Sequence, residues 1–178
     1  VVIADERWYG DLREALAHLP VKVYAGTEAI EQVVRGDSAD VVVNALVGYA
    51  GMMPSLAAVE TGKKLALANK ESLVIAGGQI IEAADRNGAA ILPVDSEHSA
   101  IFQSLVGEVS PARRLILTAS GGPFLHTPKE RLCEVTVEQA LRHPNWSMGA
   151  KITVDSSTMV NKGFEVIEAH WLFGLPAE

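Results

Sequence analysis

Val41-Val42-Val43-Asn44-Ala45 is the stretch on which the fold turns. It is short, β-branched and apolar at successive positions, the pattern of a parallel strand covered on both faces by helices. The loop Val47-Gly48-Tyr49-Ala50-Gly51 follows, and then Pro54, which suits the first turn of a helix because its missing N–H would have no partner there. Outward from this strand the rhythm repeats. Residues 21–24, 64–68 and 90–94 read as further strands, and residues 27–35, 54–61 and 77–86 as intervening helices. This alternation predicts a doubly wound parallel sheet. The loop after the strand has two glycines but no GxGxxG, and none occurs elsewhere in the chain, so a complete dinucleotide fingerprint is lacking.

From Asp95 the rhythm changes. A helix-like stretch over residues 96–106 is followed by a predicted strand over 114–120 and a turn at Gly121-Gly122. Next come a helix opening on the capping box Thr136 to Gln139, and a long loop from His143 to Lys151. We place a domain boundary near residue 94, which gives α/β units over 1–94 and 95–178.

A chain of 178 residues with 48% apolar and 21% charged residues buries a real core and is not a disordered composition. The net charge of -7 offers no basic stripe, which argues against nucleic acid as a partner. A small anion needs only a few convergent donors whatever the net charge. The single cysteine, Cys133, has no partner for a disulfide or a CxxC metal site, which fits a reducing compartment. No stretch approaches the roughly 18 uninterrupted apolar residues of a membrane helix.

Several segments carry residues suited to chemistry. Asp95 and Glu97 follow an apparent strand, and if the backbone is still extended there both carboxylates lie on one side. Such a pair suits a hard divalent cation. Equally, Asp95 or Ser96 can simply cap the next helix, and spacing alone leaves the two readings open. Asn161, Lys162 and Glu165 share a helix face, either as part of a polar site or as a solvated ion pair opposite Phe164, Ile167, Trp171 and Leu172. Ser120 before two glycines can hold an anion or merely turn the chain. A hydrolase elbow would place glycine where Thr118 stands, so a Ser120-His143-Asp155 triad is a poor match. The loop with His143, Trp146, Met148 and Gly149 suits a lid. Lys70 sits past a strand end, where open α/β sheets bind ligands, or is a surface lysine beside Glu71.

Taken in order, LANKESLV, PVDSEHSAIFQ, SGGPF, HPNWSMG and DSSTMVNKGFEVIEAHWLF closely resemble the 1-deoxy-D-xylulose 5-phosphate reductoisomerases. The resemblance runs from the strand at residue 41 to the C-terminus. It implies a partial Rossmann-like NADPH-binding domain over 1–94 and part of an α/β catalytic domain over 95–178. It also implies a divalent metal, Mg²⁺ or Mn²⁺ with Co²⁺ as a further candidate, held by Asp95, Glu97 and Glu165. Lys70, Glu97 and His143 take catalytic roles by the same resemblance. Ser96, Ser120, Trp146, Ser156, Asn161, Lys162 and Glu165 contact the sugar phosphate, while Asn69, Glu71 and Gly149 touch NADPH. Members of the family rearrange and reduce 1-deoxy-D-xylulose 5-phosphate to 2-C-methyl-D-erythritol 4-phosphate in non-mevalonate isoprenoid biosynthesis.

The resemblance further implies a homodimer, no membrane or nucleic-acid partner, and a bacterial cytoplasmic or a plastid location. Family members begin with a glycine-rich GxTGxxG turn and continue past residue 178 into a helical domain. This chain is therefore expected to be an internal piece, incomplete for turnover alone.

Overall fold

The computed structural model describes residues 1–176. Two compact units make up the chain, Val1–Val94 and Asp95–Glu178.

In the first unit, β3 (Val41–Asn44), β4 (Lys64–Leu67) and β5 (Ile91–Pro93) form a parallel sheet in the order β3-β4-β5. Val41 pairs with Lys64 and Leu65 with Ile91. A two-stranded parallel pair precedes it, β1 (Val2–Ile3) with β2 (Tyr24–Ala25). The expected strand over 21–24 thus begins only at Tyr24, because the short β1 offers ladder partners to Tyr24 and Ala25 alone. Helices α1 (Tyr9–Ala15) and α2 (Glu28–Arg35) flank β2 in sequence.

Helix α3 (Met52–Glu60) links β3 to β4, and α4 (Lys70–Asn87) links β4 to β5. The core lies between the central strand and these helices: Leu65 and Leu67 of β4, Ala57, Ala58 and Val59 of α3, Leu73 and Ile80 of α4 are all buried. Each buried leucine contributes about 1.5–3 kcal/mol of transfer free energy. The alanines give the two helices room to pack closely.

Two expectations change here. β3 is an edge strand with Val41 and Val43 exposed, so its unbroken apolar run does not reflect cover on both faces. Helix α4 starts at Lys70, well before residue 77, because Asn69 caps it by accepting from Ser72 N–H at 2.9 Å. It passes through a non-helical Ala76 (φ -134°, ψ 28°) just before the Gly77-Gly78 pair. Gly88, left-handed at φ 64°, ends it.

The second unit holds α5 (Ser96–Leu105), a 3₁₀ turn at Lys129–Glu134, α6 (Val137–Ala140), α7 (Ala150–Ser157) and α8 (Val160–Phe173). The capping box forms as read: Thr136 Oγ1 accepts from Gln139 N–H and Gln139 Oε1 from Thr136 N–H. The expected strand over 114–120 is absent, since no segment among the described residues supplies a ladder for it. Helix α7 arises from a β-branched stretch that propensity alone disfavours. Met159, at φ 62°, turns the chain between α7 and α8.

The face of α8 that is buried carries Glu165, Glu168 and Ala169, while Val166 and Ile167 are exposed. This corrects the amphipathic reading, in which Ile167 belonged to the packed side. No described helix is long and apolar enough to cross a membrane.

Candidate metal and anion-binding site

Asp95 occupies the cap position of α5 without a side-chain cap bond, and Glu97 already lies in the first helical turn. The extended arrangement expected for this pair is therefore replaced by a strand-to-helix turn. That turn still gathers the acids: ligand oxygens of Asp95, Glu97 and Glu165 all lie within 4.8 Å of one another. Glu165 arrives from α8 and is buried, with only 2% of its side chain exposed.

Cationic and amide donors surround the cluster. Lys162 Nζ donates to Glu97 Oε1 at 2.9 Å, to Glu165 Oε2 and to the Thr118 carbonyl. Asn161 Nδ2 donates to Glu165 Oε1 at 2.6 Å, and Ser96 Oγ to Glu97 Oε2 at 2.7 Å. The solvated-pair reading of this helix face fails, because Lys162 is mostly buried and reaches two carboxylates at once.

Burial pushes the Glu97 carboxyl up. The hydrogen bonds from Ser96 and Lys162, with the Lys162 charge, outweigh it and hold the group at about 2, below the ordinary 4.5. For Lys162, burial works against the ammonium, but bonds to Glu165 and Glu97 prevail and raise its pKa. Glu97 is thus ionised across the neutral range. Three carboxylates with only oxygen to offer suit Mg²⁺ or Mn²⁺, and such an ion would compete with Lys162 for the same oxygens.

A serine-glycine turn tied to His143 lies in the same unit. His143 Nδ1 accepts from the backbone N–H groups of Asn145 (3.2 Å) and Trp146 (3.0 Å). In the neutral ring the proton must then sit on Nε2, which donates to Ser120 Oγ at 3.1 Å. Gly122 N–H donates to the same oxygen at 3.2 Å. Accepting from both groups leaves the Ser120 hydroxyl its own proton to donate.

His143 cannot take that proton in this tautomer, and Asp155 is paired with Lys151 at 2.9 Å instead of orienting the ring. The hydrolase triad is therefore not formed. The Gly121-Gly122 turn seats against α7: a Cβ at Gly122 would stand 2.7 Å from the Ser156 carbonyl oxygen. A cleft of about 580 Å³ is lined by Ser96, Glu97, Thr118 and the exposed Trp146, among others. Its size suits a small molecule. Gly149 caps α7 by position.

Asn69, Lys70 and Glu71 sit together at the start of α4 in the first unit. Asn69 Nδ2 donates to the carbonyls of Leu46 (2.6 Å) and Gly48 (3.0 Å) and to Glu71 Oε2 (3.2 Å). Asn44 Nδ2 holds the Gly51 carbonyl and Ser55 Oγ, each at 2.7 Å. The two asparagines together pin the loop at the C-terminal end of β3. Lys70 is buried, which sets aside its reading as a surface lysine.

His98 and Glu168 escaped the sequence reading. Both are buried, and with Asp95 they form a second group whose ligand atoms lie within 4.8 Å of one another. The signal was present as spacing: His98 follows Asp95 by three residues and Glu168 follows Glu165 by three, one helical turn each.

Fold and site together define an α/β protein with parallel sheets and a cluster of three carboxylates whose oxygens suit a hard cation. The sequence profile of 1-deoxy-D-xylulose 5-phosphate reductoisomerase matches residues 1–77, and that of the same enzyme's C-terminal domain matches residues 91–173. The chain belongs to this family.

A relative from Bacteroides fragilis named 1-deoxy-D-xylulose 5-phosphate reductoisomerase is 60% identical over 176 residues, covering 98% of the chain and 45% of the relative. The Zymomonas mobilis reductoisomerase solved with NADPH superposes with a TM-score of 0.87 at 48% identity, over 98% of this chain and 45% of that one. A reductoisomerase solved with NADPH, fosmidomycin and magnesium gives a TM-score of 0.86 at 42% identity, over 96% and 45%. The chain spans a little under half the length of these relatives.

Proposed function

We propose that this chain supplies the metal- and substrate-binding part of an NADPH-dependent reductoisomerase that converts 1-deoxy-D-xylulose 5-phosphate to 2-C-methyl-D-erythritol 4-phosphate. The observation that carries the reading is the convergence of Asp95, Glu97 and Glu165, with Lys162 bridging two of them, in a member of this family. Relatives solved with NADPH and with fosmidomycin and magnesium support the ligands.

In this reading Asn69, Glu71 and Gly149 contact NADPH. Asp95, Glu97 and Glu165 hold the cation. When bound, the divalent ion supplies Lewis-acid stabilisation to the substrate's carbonyl and hydroxyl oxygens, and NADPH supplies the hydride. Ser120, Ser156, Asn161 and Lys162 anchor the phosphate end, which leaves binding energy for orienting the distant reacting carbons. Ser96, Lys70 and Glu97 face the sugar. His143 fixes the Ser120 hydroxyl while Trp146 closes over the cleft and excludes water. A homodimer, and a bacterial cytoplasmic or a plastid location, belong to the same proposal.

The test is direct. The complete protein, given 1-deoxy-D-xylulose 5-phosphate, NADPH and Mn²⁺, should show substrate-dependent loss of nicotinamide absorbance; none would sink the proposal. A second reading, favoured by the 45% coverage of the relatives, is that the 178-residue chain alone binds metal and sugar phosphate without hydride transfer. Calorimetry separates the two, since tight NADPH binding by the isolated chain counts against this second reading.

A further inference from the structure

His98 is fully buried in the first turn of α5, directly after Glu97 and three residues past Asp95. Its Nε2 lies 2.8 Å from the main-chain carbonyl oxygen of Glu165. A carbonyl only accepts, so Nε2 carries a proton and donates. The ring lies parallel to Phe173 at a centroid distance of 6.4 Å and an interplanar angle of 9°, which fixes its plane from the far end of α8.

Among the described residues the other ring nitrogen has no hydrogen-bond partner. It faces Glu168 Oε2 at 3.6 Å and Asp95 Oδ1 at 3.9 Å, both too far for a bond. The imidazole is therefore tied to α8 at one edge while its opposite edge stands against the carboxylate of Asp95.

We propose that His98 is a positioning residue for the cation centre, a brace between α5, which carries Glu97 and follows Asp95, and α8, which carries Glu165. The inference rests on the metal reading given above. Glu165 reaches the cluster from a separate helix, and its backbone is the only part of it a neighbour can hold without using up a carboxylate oxygen. His98 grips that backbone. Supports of this kind fix ligand geometry from outside the ligand set, and their loss typically weakens metal affinity by about 10–100-fold.

The experiment compares three variants of the complete protein with the wild type, reading Mn²⁺ affinity and stoichiometry by calorimetry and stability by thermal melting in chelator. His98→Gln keeps an N–H donor near the Nε2 position. His98→Asn places its amide near Nδ1, and His98→Leu keeps only apolar bulk.

The brace predicts one bound Mn²⁺, affinity weakened roughly tenfold in His98→Leu and His98→Asn, and recovery of most of it in His98→Gln. If His98→Leu does not fold, the contrast of His98→Gln with His98→Asn carries the test. Wild-type affinity in His98→Leu or His98→Asn would overturn the brace. So would two bound ions in the wild type falling to one in every variant, which would make His98 itself a ligand with Asp95 and Glu168. Absence of Mn²⁺ binding by the wild type would remove the metal reading and the brace with it, a result distinct from either of the others.

Discussion

Glu165 is the least accessible of the three candidate ligands, and the environment built around it argues for a charged role. A buried carboxylate is costly unless it is paired, and here Asn161, Lys162 and the backbone contact from His98 converge on this one residue. Replacing it with glutamine preserves its size and removes one anionic oxygen. Glu165→Gln should therefore weaken Mn²⁺ binding by at least roughly tenfold as read by calorimetry, and an unchanged affinity would take Glu165 out of the ligand set. From sequence alone the same residue reads more readily as half of a solvated ion pair on a helix surface. Spacing along a helix states which side chains share a face, but not which face the rest of the protein covers.

At the scale of elements, the glycine turn after residue 120 shows how one segment depends on another. Gly121 and Gly122 are both left-handed, at φ 80° and 71°, so alanine at either costs about 1–2 kcal/mol in backbone strain. The surroundings differ. An added Cβ at Gly121 meets the flexible Leu125 side chain, whereas at Gly122 it meets the Ser156 carbonyl on α7. Gly122→Ala should lower the melting temperature more than Gly121→Ala and should also weaken binding of inorganic phosphate. Coincident melts would mean that the contact between turn and helix carries no weight.

The same distinction between local and contributed structure explains what was legible in the sequence. The capping box at Thr136 and the helix over Glu28–Arg35 depend on neighbours within a few residues, and both formed as read. The segment over 114–120 had strand composition, but a strand exists only where another supplies its ladder. The sequence pattern places this helix over 77–86; the Asn69 cap, itself held by the Leu46 carbonyl, starts α4 at Lys70 instead. His98 and Glu168 sit one helical turn from Asp95 and Glu165 in sequence, but only burial distinguishes them from surface residues.

Across the whole molecule, the candidate residues divide between the two units. Asn69, Lys70 and Glu71 fall in the first, where Asn69 donates to Glu71, and Asp95, Glu97 and Glu165 in the second, where Lys162 bridges Glu97 and Glu165. The proposed cofactor and cation functions should then be separable by mutation. Asn69→Ala removes the cap of α4 and the side chain that pins the Leu46 and Gly48 carbonyls, a loss of about 0.5–2 kcal/mol from the cap alone. It should weaken NADPH binding by the complete protein and leave Mn²⁺ affinity where it was, with both measured well below the melting temperature. Glu165→Gln should do the reverse. If either variant lowers both affinities alike, the two functions are coupled through the folded protein, and the assignment of cofactor to the first unit and cation to the second no longer accounts for how the residues are distributed.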